Sequence, residues 1–204
     1  MKFVLFVEGH TEQKAVPAFL KRWLDQKLGQ PVGIKPVRFD GWQELVKDSP
    51  KHARMYLSKP GDVLAVVALL DLYGPTFYPE DKKTAQERLA WAKQHLEQAV
   101  NHPKFRQFFA VHETEAWLLS NPKAFPAEVR NGMPKKKPET VNFDSPPAKV
   151  LDRLYDARLG RGYKKVVNGK DLFRKLDPAA AYAKCPHLKA LLDEMLHLAK
   201  SAGL

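Results

Sequence analysis

Apolar and polar positions change period several times along the chain, and each change marks an element. Lys2–Val7 (KFVLFV) is apolar apart from Lys2, too short for a helix and suited to a strand buried on both faces. From Glu12 onward Val16, Phe19, Leu20, Trp23, Leu24 and Leu28 recur at spacings of three and four. That spacing predicts an amphipathic helix closed by Gly29, with Pro17 about one turn inside it. Residues 34–39 read as a second strand. Residues 42–57 carry one or two helical segments, with a break expected near Ser49-Pro50. Residues 63–70 (VLAVVALL) form the most hydrophobic run and predict the central strand, ending at Asp71. A segment rich in Gly, Pro and aromatics at 73–81 precedes an amphipathic helix at about 83–100. Residues 105–111 read as a fourth strand, and 114–120 begin another helix.

Residues 1–120 therefore alternate strand and helix four times. This predicts an α/β fold with a mostly parallel four-stranded central sheet flanked by helices and joined by right-handed crossovers. Beyond residue 121 the pattern changes. Pro122, Pro126, Pro134, Pro138, Pro146 and Pro147 punctuate a loop-rich stretch, with short helices expected at 148–157, 169–176 and 187–200. The expected organisation is an α/β core over 1–120 and a basic helical extension over 121–204, packed on it as one compact unit.

Composition narrows the class. At 204 residues with 44% apolar positions, the chain has the length of one domain and enough apolar surface to bury a core. No apolar run approaches the roughly 18 residues that cross a bilayer. Glu8 cuts the opening apolar stretch far short of a secretory signal. The single cysteine, Cys185, excludes an internal disulfide framework and a cysteine-built zinc site, and reads as a small buried hydrophobe. The expectation is a soluble cytoplasmic protein. Its net charge of +11 is uneven: residues 121–170 hold 12 basic against 5 acidic groups, while residues 1–120 hold 17 against 14. A basic region of this kind suits a polyanion such as nucleic acid, and a merely solvated basic face is the competing reading.

In an open parallel sheet, ligands bind in the crevice at the carboxyl ends of the strands. Three of the expected strands end in acid there: Glu8 to Glu12 in EGHTE, Asp71 in DLYG, and Glu113 and Glu115 in HETE. Several carboxylates at one edge repel unless a cation or proton relieves them, and hard oxygen donors suit Mg²⁺ or Mn²⁺. The alternative is that each acid caps the helix that follows it. His10 and His112 sit beside these acids as metal or phosphate ligand candidates, with a structural role as the alternative. Lys149, Arg153, Arg158, Arg161, Lys164 and Lys165, interleaved with Tyr155 and Tyr163, form a candidate nucleic-acid-binding set. Lys135, Lys136 and Lys137 read as an exposed loop, and Trp117, Leu118 and Phe125 as core.

The acidic residues also carry a resemblance. Glu8-Gly9-x-Thr11-Glu12 after a first strand, with Asp71 closing the third, resembles the Toprim fold of topoisomerases, primases and old-family nucleases. More closely, the chain resembles the Toprim-related bacterial domain-of-unknown-function family numbered 4276. The stretches that carry this are VEGHTE (7–12), DLYG (71–74), HETEAWLLSNP (112–122), ETVN (139–142) and SPPAKVL (145–151), with YKKVVNG (163–169) and CPHLKALLDEM (185–195) after them. The resemblance implies Glu8 as general acid/base and Asp71 as ligand of a divalent metal. The chain departs from the Toprim Asp-x-Asp pair at Tyr73, where the second aspartate is missing; Glu113, Glu115 or Glu12 would replace it. Tyr73 as a nucleophile is the less favoured reading beside packing or hydrogen bonding.

Two function classes follow. The first is a Mg²⁺-dependent nuclease or related phosphoryl-transfer enzyme on DNA or RNA, which the resemblance sets in bacterial anti-phage defence beside an ATPase. No G-x-x-x-x-G-K-[ST] motif occurs in the chain, so that ATPase would be a separate protein. The second is a catalytically weak nucleic-acid-binding or regulatory subunit. Action on a small phosphorylated metabolite is a third option. Monomer and homodimer are both open.

Overall fold

A computed structural model describes residues 1–58, 61–140 and 145–204, so Val141 and Asn142 of the ETVN stretch lie outside the described residues. Four strands, β1 (Lys2–Val7), β2 (Gly33–Arg38), β3 (Val63–Asp71) and β4 (Phe105–Ala110), form one sheet in the order β2-β1-β3-β4. Each neighbouring pair is parallel. Parallel neighbours need a crossover, and helices α1 (His10–Asp25), α2 (Trp42–Leu57) and α3 (Ala85–Val100) supply the three. A short buried helix α4 (Glu115–Leu119) follows β4.

Strand periodicity then sorts the core into two layers. Phe3, Leu5 and Val7 of β1 and Ala65, Val67 and Leu69 of β3 face α1, where Phe19, Leu20 and Trp23 are buried. Val4, Phe6, Val66, Ala68 and Leu70 point the other way, against Leu45 and Ala53 of α2 and Ala92 and Leu96 of α3. The later helices are α5 (Ala127–Arg130), α6 (Pro147–Leu159), α7 (Lys170–Lys175), α8 (Pro178–Lys184) and α9 (Pro186–Ser201). Leu151, Phe173, Leu188, Leu192 and Met195 from this region join the α1 layer. Arg22 of α1 ties α7 down, donating to the carbonyls of Phe173, Arg174 and Leu176 at 2.8 Å each.

Several boundaries differ from the sequence expectation. The first helix starts at His10 rather than Glu12, because extended Gly9 serves as its N-cap and Gln13 N–H already reaches the Gly9 carbonyl at 3.0 Å. Pro17 therefore lies about two turns in, where the packed Val16, Phe19 and Leu20 hold the helix around it. Nor does Pro50 break α2: Leu45, Ser49 and Ala53 form an unbroken buried stripe along its length. The fourth strand stops at Ala110, one residue early, and the chain turns into α4. Helices α5 and α8 were not legible, being only 4 and 7 residues long, too short to show a period.

Candidate active site

Glu8 follows the last residue of β1 and Asp71 ends β3, so two acids stand side by side where neighbouring parallel strands stop. The Asp71 N–H donates to Glu8 Oε1 at 2.6 Å, and the Thr114 N–H donates to Asp71 Oδ1 at 3.0 Å. Thr114 leads into α4 and carries Glu115 with it. Its hydroxyl lies 3.2 Å from Glu12 Oε1 and 3.4 Å from Glu115 Oε2, so its one proton serves either acid. Glu12 comes from the first turn of α1. Four carboxylates from three strand ends thus meet at the carboxyl edge of the sheet.

The cation among them is Lys165. Its Nζ lies 3.1 Å from Glu115 Oε2, 3.5 Å from Asp71 Oδ2 and 3.7 Å from Glu12 Oε1. Side-chain exposure is 0% for Glu115, 8% for Glu12, 14% for Asp71 and 37% for Lys165, so the acids are withdrawn from water and the lysine is the most open of the four. Lys165 begins a single π turn, Lys165–Gly169, which packs on α1. That turn is built rather than loose. The Lys164 N–H donates to Asn168 Oδ1 at 2.7 Å, and the Tyr163 N–H donates to Asp152 Oδ1 at 2.9 Å. A Cβ on Gly169 would come within 2.9 Å of the Tyr163 hydroxyl and 3.3 Å of Thr11 Cγ2.

Burial and crowding set the protonation equilibria. Burial pushes the Glu8 carboxyl up to about 7, against the Asp71 N–H that favours its charged form, and the Glu12 charge adds to the rise. Burial also raises Asp71 well above the usual carboxylate range despite Lys165. Glu115 rises to about 7 for the same reason, with Lys165 opposing and Glu113 and Glu12 reinforcing. Burial alone would lower Lys165, but the charges of Asp71, Glu115 and Glu12 outweigh it and hold the ammonium firmly protonated.

The other expected site residues fall in several places. Gly9 is the N-cap of α1, where a Cβ would crowd Glu12 Oε2 at 2.5 Å, and Thr11 is buried against the Lys165 turn. Glu113 caps a helix, but not α4, which follows it: it accepts from the Ala148 N–H in the first turn of α6 at 2.8 Å. Tyr73 lines a cavity of about 510 Å³ with Gly74, Pro75, Lys83 and Arg88, and its N–H donates to the His112 carbonyl at 2.9 Å. His10 is exposed at the start of α1. His112 is buried and faces a different cavity, of about 360 Å³, shared with His187 and Glu139. Lys149, Arg153, Arg161 and Lys164 are exposed, as a backbone-binding set would need, but Lys165 leaves that set for the carboxylates. Lys135, Lys136 and Lys137, read from sequence as a loop, line a groove of about 570 Å³ with Lys184 and Pro186.

Three residues have roles that the sequence did not show. Thr114 lies between Glu113 and Glu115 in HETE, and its hydroxyl reaches Glu12 and Glu115 only once the chain has folded. Tyr163 brings a buried hydroxyl beside Gly169. Glu139 holds α9 by accepting from the N–H groups of His187 at 2.7 Å and Leu188 at 3.1 Å, and burial raises it to about 7.

Carboxylate oxygens are the donor type that hard divalent cations take. The cluster offers carboxylate oxygens alone, four acids face one ammonium, and buried Glu115 Oε1 has no hydrogen-bond partner. As the side chains stand, with Lys165 drawn in between them, no three His, Cys, Asp or Glu groups among the described residues are arranged as metal ligands.

Fold and site together define a parallel α/β protein with an acidic crevice at the carboxyl edge of its sheet. The chain belongs to the family described as domain of unknown function (DUF4276), which matches it over residues 7–196. No curated protein and no solved structure matches it.

Proposed function

We propose that this protein is a divalent-metal-dependent phosphoryl-transfer enzyme on nucleic acid, a nuclease of Toprim kind. The observation that carries this reading is the meeting of Glu8, Glu12, Asp71 and Glu115 around the Lys165 ammonium at the strand ends. Glu8 and Asp71 stand where the Toprim resemblance wants its acid/base and its metal-holding aspartate. Tyr73 offers no carboxylate, and Glu115 with Glu12 supplies the missing oxygens.

Asp71, Glu115 and Glu12 would hold Mg²⁺ or Mn²⁺, and such an ion, when bound, supplies Lewis-acid neutralisation of a phosphate. The rest is the work of the chain. Glu8, with a carboxyl near 7, is poised to take or return a proton at neutral pH. The Asp71 and Thr114 N–H groups fix the orientation of the Glu8 and Asp71 carboxylates. Lys165 offsets their repulsion, and its ammonium is a ready partner for a phosphate oxygen. The exposed Lys149, Arg153, Arg161 and Lys164 suit the backbone of DNA or RNA. Among the described residues no helix is long and apolar enough to cross a membrane. A cytoplasmic setting in phage defence, beside a separate ATPase, belongs to the same reading and rests on the resemblance.

Lys165 among the acids also favours a second reading, a binding or regulatory subunit whose carboxylates engage the lysine instead of a metal. Incubation with supercoiled plasmid and single-stranded RNA in Mg²⁺ or Mn²⁺ separates the two. A nuclease cleaves, loses roughly 10²–10⁴-fold in rate as Glu8→Gln, and is silent as Asp71→Asn. Binding of the same substrates by wild type with no cleavage in either metal establishes the subunit instead.

A further inference from the structure

The groove that Lys135, Lys136 and Lys137 share with Lys184 takes no part in the acidic site, and its charge is of one sign. Its volume is about 570 Å³, inside the range of roughly 300–1,000 Å³ typical of ligand pockets. All four lysines are exposed, and among the described lining residues there is no acid. Among the described residues none of the four is in an ion pair. The Lys184 ammonium donates to the Ser120 carbonyl at 2.7 Å, a neutral acceptor that leaves its charge uncompensated. The nearest acid along the chain, Glu139, is engaged with the N–H groups of His187 and Leu188.

The lysine run is also held in shape. Pro134 and Pro138 bracket it, each with its φ fixed by the ring. The Lys137 carbonyl accepts from the Thr140 N–H at 2.9 Å and from the Thr140 hydroxyl at 2.7 Å.

Nucleic acid and an acidic peptide both suit four lysines, and the floor of the groove decides between them. Grooves for single-stranded nucleic acid set aromatic rings or arginine beside their cations, so that bases stack. Among the described lining residues there is neither. The floor is instead Leu119, Ala183 and four prolines. An apolar floor under a charged rim is the anatomy of a protein–protein contact, where apolar side chains leave water while polar groups meet at the edge.

We propose that this groove docks an acidic peptide segment of a partner protein, its carboxylates on the four ammonium groups and its apolar side chains on the floor. Such docking is independent of the nuclease reading.

The test is fluorescence anisotropy of a short labelled peptide alternating glutamate and leucine, titrated with the whole chain. Parallel titrations use the same peptide with glutamine for glutamate, the same peptide with serine for leucine, and labelled oligothymidylate. The groove variant is Lys135→Gln/Lys136→Gln/Lys137→Gln. Its charge-matched control is Lys47→Gln/Lys51→Gln/Lys104→Gln, exposed lysines outside the groove lining. Circular dichroism checks folding. The glutamate–leucine peptide is expected to bind wild type and the control alike and to lose roughly tenfold in the groove variant. Both altered peptides are expected to bind more weakly. No binding to wild type, or an equal loss in the control, overturns the proposal. Oligothymidylate losing affinity in the groove variant while the peptide does not assigns the groove to nucleic acid and overturns it too. If the groove variant does not fold, amide shifts of ¹⁵N-labelled wild type on adding the peptide decide instead. Shifts centred on Leu119, Lys135 to Lys137 and Lys184 support the proposal, and shifts centred elsewhere overturn it.

Discussion

Glu115 shows how burial turns a surface-type side chain into a sensitive one. Its carboxyl is fully buried, one oxygen faces Lys165, and the other has no partner. Burial lifts it from 4.5 to about 7, so the folded chain keeps a proton that the unfolded chain releases near 4.5. A raised carboxyl favours the fold below about 4.5, and that advantage drains away as pH climbs toward 7. Glutamine at this position carries no such cost. In metal-free protein the melting temperature of Glu115→Gln relative to wild type is therefore expected to climb between pH 5 and pH 8. A difference that stays constant with pH would show that the carboxyl does not titrate inside the fold. The acids themselves were legible in the sequence, because Glu8 and Asp71 each close an apolar run suited to a buried strand, and Glu113 and Glu115 follow a third strand. Their division of labour was not: which acid turns inward and which caps a helix depends on Ala148 and Lys165, far along the chain. Lys165 looked like its exposed basic neighbours because nothing in YKKVVNG distinguishes one lysine from the next.

The elements divide along similar lines. The reciprocal cap of Thr84 and Glu87 that starts α3 is seen only in the structure, but strands β1 and β3 declared themselves through apolar runs and helices α1 and α3 through a helical period. The Lys165–Gly169 turn could not, since a five-residue π turn has no period to read. Yet it is the element that delivers the cation. Gly169→Ala tests its seating, because the added methyl would meet the Tyr163 hydroxyl at 2.9 Å and Thr11 at 3.3 Å. The expected outcome is a loss of about 1–3 kcal/mol in denaturant unfolding, typical of overpacking. Unchanged stability would mean that the turn is not tightly seated against Tyr163 and Thr11. The sheet edges are guarded as well: β2 carries Pro36, which has no N–H to offer, and the Gln107 N–H of β4 is taken by Glu97 Oε1 at 3.0 Å.

On the scale of the whole molecule, charge is unevenly distributed along the chain. The acids converge at the sheet's carboxyl edge, while the excess of basic groups lies on the Pro-punctuated region after residue 121. Exposed Lys149, Arg153, Arg161 and Lys164 fit a phosphate backbone, and each phosphate they neutralise on duplex DNA contributes about 0.9 to the slope of log affinity against log salt. Replacing all four with glutamine is expected to flatten that slope by about 3–4 without moving the melting temperature. An unchanged slope would direct attention to the separate groove lined by Lys135, Lys136, Lys137 and Lys184. The central claim, that the strand ends form a cation site, is tested most directly by manganese broadening in the amide spectrum of ¹⁵N-labelled protein. Substoichiometric Mn²⁺ is expected to erase the Glu8, Thr114 and Glu115 amides of wild type and to spare them in Asp71→Asn. Broadening centred elsewhere, or none at all, would contradict it.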